Sequence, residues 1–508
     1  MKAKESKLSP FPRGPAPYLL CLVASIALFS VALYTDDILN DDGINYIYAA
    51  YETINGSPET AIVYRQESAF TKQFVVLSKY TGLSLLESAY ALSLIAQIAL
   101  MCGFLAVVRS LGASARIQLL AILVFASTMY FNDLRPNILR GFEFWSAQIW
   151  ALWALIKFAH TSRWRYLLYW LALSSLAIFF RIEGLIYLAG IAILAPFALS
   201  GLARKRALGC SALILAVIVT IGALNQQILT KTTGTLSGPY ERLNQEFNTA
   251  RKAGHLLDTQ KELIRANMPN KWARNSSSDF FIGGLLFMVA MKLLYTNNGI
   301  LLVLAFCFGR IREIPKNKGH PIIVSYFLVG LTIALYTIAS RFFITGRYVF
   351  LPSLLLCVPI PFLLNQILFN SEARSWSYRY ILRGTILALS AAMIIVPALT
   401  ANNNKMYIRE AANWVSDNLP PTDNIYFNDM RVAFYSDDFA NQSFLIEDIS
   451  IEDLRLSGYR YAVVHEISGK ATNIIGPTIQ SGKVELINSV IGSKNARVDT
   501  YKILHPDE

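Results

Sequence analysis

Apolar stretches long enough to cross a bilayer recur along most of this chain, each parted from the next by a short polar turn, and few folds are compatible with that recurrence. After a first run ending at Tyr34 they lie at about 88–108, 117–131, 142–159, 167–180, 184–202, 208–228, 281–309, 321–340, 347–369 and 384–401. As helices rising 1.5 Å per residue, such runs approach the roughly 30 Å of the hydrocarbon layer. Lipid offers backbone groups no hydrogen-bond partner, so continuous apolar runs of this length are expected as helices. About eleven spans are predicted. A composition that is 54% hydrophobic and 16% charged excludes an ordinary soluble domain. The 281–309 run is broken by Lys292 and by Asn297, Asn298 and Gly299, which predicts an interfacial helix followed by a shorter span.

Charge sets the orientation. The net charge of +12 could suggest a nucleic-acid binder, but the basic residues fall in short clusters between apolar runs: Arg109 and Arg116; Arg163 and Arg165; Arg204, Lys205 and Arg206; Arg310, Arg312, Lys316 and Lys318; Arg374, Arg379 and Arg383. With the N-terminus inside, every one of these loops is cytoplasmic, as the excess of Lys and Arg on that side requires. No nucleic-acid partner is expected. The basic lead of the N-terminus and its run of about eighteen apolar residues read as an uncleaved signal anchor. All five cysteines lie in apolar segments, so neither a disulfide framework nor a CxxC metal site is expected.

The opposite loops are then 35–87, 132–141, a tight turn near 181, 229–280, 341–346 and the chain after 402. Loops 35–87 and 229–280 contain amphipathic helical spacing suited to the membrane interface. After Thr400, NIYFNDMRVAFYS, YRYAVVHEI, KVELINSVI and VDTYKILHP read as strands and REAANWVSDNL as a helix. The expected organisation is an α-helical polytopic membrane domain over 1–401 and a small soluble α/β domain over 402–508 on the outer face.

Two groups of residues carry candidate chemistry. Asp36, Asp37, Asp41 and Asp42 follow the first span. From Asp41 on, Ile44, Ile47, Tyr48 and Tyr51 recur at helical spacing, so Asp41 and Asp42 could simply cap a short helix. The alternative is a carboxylate held beside a membrane cavity. Arg135, Arg140, Arg181, Arg341 and Arg347 lie near the outer ends of spans, where basic residues are under-represented. Boundary cations are costly and face a partner or a cavity: headgroups, acidic neighbours such as Glu143 and Glu183, or a ligand. A guanidinium fork suits a phosphate.

In this order of features the chain resembles the GT-C superfamily of integral-membrane glycosyltransferases, of the protein O-mannosyltransferase and lipid A aminoarabinose transferase type. Asp41-Asp42 followed by Tyr46 and Ala49-Ala50 is similar to the family's acidic-pair helix. FVVLSKYTGLSLLESAYALSL resembles its interfacial segment before the second span, FRIEGL its basic outer turn, and GRYVFLPSLLLCVP its late-span signature. The outer domain with NWVSDNLPPTDNIYFND looks like that of many bacterial members. The pair is Asp-Asp where the family has Asp-Glu, with a second pair upstream, so which aspartate acts stays open.

The resemblance implies a GT-C-like fold in a bacterial inner membrane with a periplasmic C-terminal domain, and transfer of a sugar from a polyprenyl-phosphate donor to a glycan, lipid or protein acceptor, with inversion. It assigns the general base to Asp41 first, Asp42 next and Asp37 in reserve, donor phosphate binding to Arg347 and Arg181 and then Arg140 and Arg341, and the acceptor or sugar side to Tyr46 and Glu183. Lys72 and His255 are weaker candidates. Outer carboxylates could bind a divalent metal, but no ligand spacing demands one. Two rivals are an O-antigen polymerase or ligase using a polyprenyl-diphosphate donor, for which His255 is the one outer-loop histidine, and a transporter, against which no matching pair of broken spans is seen.

Overall fold

The structure is a computed structural model, and it describes residues 14–36, 38–55, 69–231, 239–314, 317–369, 376–401, 405–420, 424–436, 454, 458–466 and 483–504. The chain forms two compact units. The first comprises Met1–Leu28, Glu67–Asn132 and Arg140–Ile394; the second comprises Phe29–Gln66, Asp133–Leu139 and Ile395–Glu508.

Among the described residues of the first unit, the regular structure is helical throughout. Gly141–Thr161 packs between Leu85–Ser110 and Trp164–Phe180, while Glu183–Ala198 packs on His320–Arg341, which in turn meets Gly346–Cys357. Among the described residues of the whole chain, six helices are long and apolar enough to span a bilayer: Ala16–Thr35, Leu85–Ser110, Ser277–Thr296, His320–Arg341, Gly346–Phe369 and Tyr380–Thr400. Shorter apolar helices include Ala115–Ala126, Trp164–Phe180, Glu183–Ala198 and Gly299–Phe308. The protein is a polytopic α-helical membrane protein with a small sheet.

The break at Asn297–Gly299 falls where the sequence places it and the second piece is the shorter, but the first piece, read as interfacial, is long and apolar enough to span. Ser277–Thr296 is the helix of spanning length, and Gly299–Phe308 is the short one. Lys292 does not stop the first helix, and its ammonium lies 5.6 Å from the ring centroid of Tyr295 at the helix end. The break is bound into the bundle: Asn298 Nδ2 donates to the Val124 carbonyl and to Ser127 Oγ at 3.2 Å. Such bonds replace the water that lipid withholds.

The expected amphipathic segments are helices Asp41–Asn55, Ala69–Thr81 and Pro239–Asn267. Gly201–Lys231 begins before its basic cluster, so Arg204, Lys205 and Arg206 are helical rather than in a loop.

The second unit holds a four-stranded sheet in the order β1 (Ile425–Phe427), β2 (Tyr461–Glu466), β4 (Arg497–Ile503), β3 (Val484–Ile491). β1 pairs with β2 in parallel, Phe427 beside Val463, and the other pairs are antiparallel. Helix Met406–Asn418 presents Tyr407, Ile408, Ala411, Ala412 and Val415 on one face and buries them against Phe427, Val463 and Val498. Four of the five C-terminal elements read from sequence are found as read. The fifth differs: residues 425–427 alone are strand, and Asp429 caps a helix over Met430–Tyr435. Asp429 accepts the Arg431 backbone N–H at 2.8 Å, a cap contact that turns an apolar run with strand-like composition into a helical turn.

Candidate functional site

A cleft in the first unit is lined by Phe144, Trp145, Arg181, Glu183, Tyr187, Ile333, Arg347, Tyr348 and Leu351. Two of the predicted phosphate ligands, Arg181 and Arg347, therefore share one cleft. Arg181 follows the Trp164–Phe180 helix in extended conformation, and Glu183 opens the next helix two residues later. The turn between them is tight, because a Cβ on Gly184 would stand 2.8 Å from the Ile178 nitrogen. Within it Glu183 takes Arg181 bidentately, Nη2 to Oε1 at 2.6 Å and Nε to Oε2 at 3.3 Å. Glu183 is thus the counter-charge of Arg181, and Arg140 is near enough for its charge to act on the same carboxylate.

Aromatic rings complete the cleft. The Arg181 guanidinium lies 4.9 Å from the Tyr348 ring centroid and 5.8 Å from that of Phe144. Arg341, exposed at the end of its helix, donates to the Tyr348 hydroxyl at 2.8 Å and lies 5.5 Å from the same ring. Arg347 starts the next helix one residue after Gly346, where a Cβ would meet the Tyr130 ring at 2.3 Å. That glycine allows the close approach that sets the Arg347 turn. Behind the cleft, Tyr187 stacks toward Tyr326, centroids 5.9 Å apart, and Tyr326 receives the Trp170 indole N–H at 2.9 Å. Both carboxylate oxygens of Glu143, on the helix that supplies Phe144 and Trp145, are buried with no hydrogen-bond partner among the described residues.

The aspartates belong to the second unit. Asp41 and Asp42 form the first turn of Asp41–Asn55, where a helix N-terminus favours negative charge. That helix start is held by two neighbours. Asn40 Oδ1 accepts the Ile138 N–H at 3.0 Å, and Tyr435 OH accepts the Leu39 N–H at 2.9 Å. Tyr48 meets Phe434 edge-on at 6.5 Å, and Tyr46 is buried on the same helix. Asp36 is almost fully buried and paired with Lys405 at 2.7 Å. Asp37 lies outside the described residues.

Asp41 Oδ1 lies 3.4 Å from Arg431 Nε. Arg431 is itself clamped by Asp429, Nε to Oδ1 at 3.0 Å and Nη2 to Oδ2 at 2.5 Å. His465 Nδ1 is 2.5 Å from Asp429 Oδ2, and because a carboxylate only accepts, that nitrogen carries the proton. Nε2 shares a hydrogen bond with the Tyr407 hydroxyl at 2.6 Å. Asn428 fixes the His465 backbone from both sides, accepting its N–H at 2.7 Å and donating to its carbonyl at 3.2 Å. Burial alone would push the Asp429 carboxyl up, but the hydrogen bonds from His465 and Arg431 overcome it and hold the group well below the usual carboxylate range. Asp41 is displaced the other way: desolvation, with Asp429 and Asp42, outweighs Arg431 and raises it. Its side chain remains 66% exposed, and solvent moderates that shift.

The sequence reading missed Tyr407, Asp429, Arg431 and His465. Asp429 directly before an apolar run was the one available signal, a helix cap. Lys72 lies on Ala69–Thr81, and His255 is exposed on Pro239–Asn267 beside Thr259. Among the described residues no group of three or more His, Cys, Asp or Glu side chains could hold a metal ion.

No protein-family model matches the chain. No curated protein matches it in sequence. Among solved structures, ArnT from Cupriavidus metallidurans in the apo state is similar over 95% of this chain and 97% of that one, with a TM-score of 0.50 and 12% identity. The chain has the fold of that structure. The Archaeoglobus fulgidus oligosaccharyltransferase in its apo form matches 88% of this chain and 69% of that one, with a TM-score of 0.47 and 13% identity. The same enzyme tethered to an acceptor peptide containing the NVT sequon matches 97% and 75%, with a TM-score of 0.47 and 10% identity. The likeness to ArnT extends over both units, since 95% of this chain is covered.

Proposed function

We propose that this protein is a membrane glycosyltransferase that moves a sugar from a polyprenyl-phosphate donor to a hydroxyl of a glycan, lipid or protein acceptor on the periplasmic face of a bacterial inner membrane. Asp41 takes the acceptor proton, and the freed oxygen attacks the anomeric carbon from the side opposite the phosphate. The bond from that carbon to the phosphate oxygen breaks with its electron pair on the oxygen, which inverts the configuration and releases polyprenyl phosphate. Arg181 and Arg347 take the charge that develops on the departing phosphate, aided by Arg140 and Arg341. Tyr46 serves the acceptor side.

The observation that carries the reading is the cleft that Arg181 and Arg347 share in a chain with the fold of ArnT. Two guanidinium groups with aromatic walls suit an anion joined to a ring that presents an apolar face. Among the residues that line the cleft, two are arginines and one, Glu183, is a carboxylate. The test is transfer by purified full-length protein in nanodiscs, offered a panel of radiolabelled polyprenyl-monophosphate sugars with a membrane extract as acceptor. Transfer that requires a monophosphate donor and fails in Arg347→Ala supports the reading. Turnover only with a diphosphate-linked oligosaccharide would replace it with a polymerase or ligase.

A further inference from the structure

Within the second unit, Arg431 divides its guanidinium between two carboxylates of unequal standing. Asp429 is 10% exposed and binds it through both oxygens; Asp41 is 66% exposed and meets only Nε, at 3.4 Å. The tight partner takes the whole Nε–Nη2 edge and fixes the arginine, while the loose partner lies against the same Nε as an ion pair. Behind the tight partner stands a second layer, since the Asp429 oxygen that takes Nη2 also receives His465 Nδ1–H, and His465 is held on its far side by Tyr407 and along its backbone by Asn428. Four side chains from a helix, a turn and β2 therefore converge to hold one guanidinium still. A surface arginine kept for solubility needs no such support, and an exposed ion pair by itself contributes little to stability. The arrangement suits a task in which the position of the charge matters, because a guanidinium bound through its fork to one carboxylate holds its charge at a fixed place beside the other.

We infer that Arg431 is a positioning residue for Asp41, with the Asp429–His465–Tyr407 chain as its anchor, so that the small sheet unit sets the orientation of the carboxylate that receives the acceptor proton. The inference rests on the reading of Asp41 as the base. The charged and titratable groups that act on Asp41 are Arg431, Asp429, Asp42 and His465. The 133–139 segment, which holds the same helix start through Ile138, adds Asp133 and Arg135. Of these, Arg431 is the one cation in ion-pair contact with Asp41 among the described residues.

The experiment compares wild type, Arg431→Gln and Arg431→Lys as full-length protein in nanodiscs, each checked by its melting temperature. Carbodiimide-driven coupling of glycine ethyl ester to Asp41, followed by mass spectrometry across pH, reads the protonated fraction of that carboxyl without any turnover. Loss of the positive charge should move the midpoint up by about half a pH unit, the size of an exposed ion pair, and Arg431→Lys should restore it. An unmoved midpoint in Arg431→Gln overturns the inference. In the transfer assay with the polyprenyl-monophosphate panel, Arg431→Gln should lower kcat by about 10- to 100-fold at unchanged donor KM, as a misaligned group does. Arg431→Lys should recover the acid limb of the profile and only part of kcat. A rise in KM with kcat intact would overturn it. Wild-type transfer in Asp41→Asn would remove the base reading itself, while the labelling midpoint would still decide whether Arg431 governs Asp41.

Discussion

Glu183 grips Arg181 through both of its oxygens, at 2.6 and 3.3 Å, from only two residues further along the chain. The pair is preorganised by its own turn. Arg181→Ala should lower kcat/KM by about 100-fold, the scale for removal of one donor to a developing charge. Glu183→Gln should cost about tenfold less, because it frees the arginine without deleting it. Steady-state kinetics on both variants check the order; equal losses would mean that Glu183 does more than orient Arg181.

The turn itself is testable through Gly184. A Cβ there would approach the Ile178 nitrogen to 2.8 Å and the Ala177 carbonyl carbon to 2.9 Å, and backbone atoms cannot rotate away. Gly184→Ala should destabilise the protein by about 1–3 kcal/mol and displace Arg181. A thermal melt in detergent shows the first effect and donor KM the second. Gly346→Ala, facing the Tyr130 ring at 2.3 Å, should do the same to Arg347.

Tyr348 lies against two guanidinium groups, at 4.9 Å for Arg181 and 5.5 Å for Arg341. Tyr348→Phe keeps the ring and removes only the acceptor for Arg341, which is exposed, so its loss should be within about threefold. Tyr348→Ala should raise donor KM about tenfold. Donor titrations of the two variants distinguish the ring from the hydroxyl.

How much of this was legible beforehand follows from the range of each signal. The helices were visible because lipid forces hydrophobicity into continuous runs, and the break at Asn297–Gly299 because three polar or small residues interrupt one. That the first piece is of spanning length was hidden by Lys292, whose charge lies by the Tyr295 ring, a contact that composition does not report. Arg181 and Arg347 stood out as cations on the side where cations are scarce. The Asp429–His465 pair did not, because its members are 36 residues apart and are joined by a strand pairing absent from any local pattern. Reading 424–436 as one strand hid the cap that places Asp429 and, with it, the orientation of Arg431.

Acid should act on this pair in a defined direction. The folded Asp429 carboxyl is held below its ordinary value, so its contribution is fully present above about pH 4 and is lost as pH falls from there toward the folded value. Asp429→Asn should therefore lower stability at neutral pH by about 3 kcal/mol, the scale for breaking a largely buried ion pair, and should flatten the acid dependence. Melting temperatures of the full chain between pH 3 and pH 7 measure both; a variant with wild-type slope would show that Asp429 does not carry the acid response.

The central claim is that Asp41 receives the proton of the acceptor hydroxyl. Label transfer from a polyprenyl-monophosphate sugar by wild type and by Asp41→Asn, at matched melting temperature, tests it most directly. A loss of at least about 100-fold in the variant is predicted, the lower end of what a general base contributes. Transfer by Asp41→Asn at a rate near wild type would contradict it.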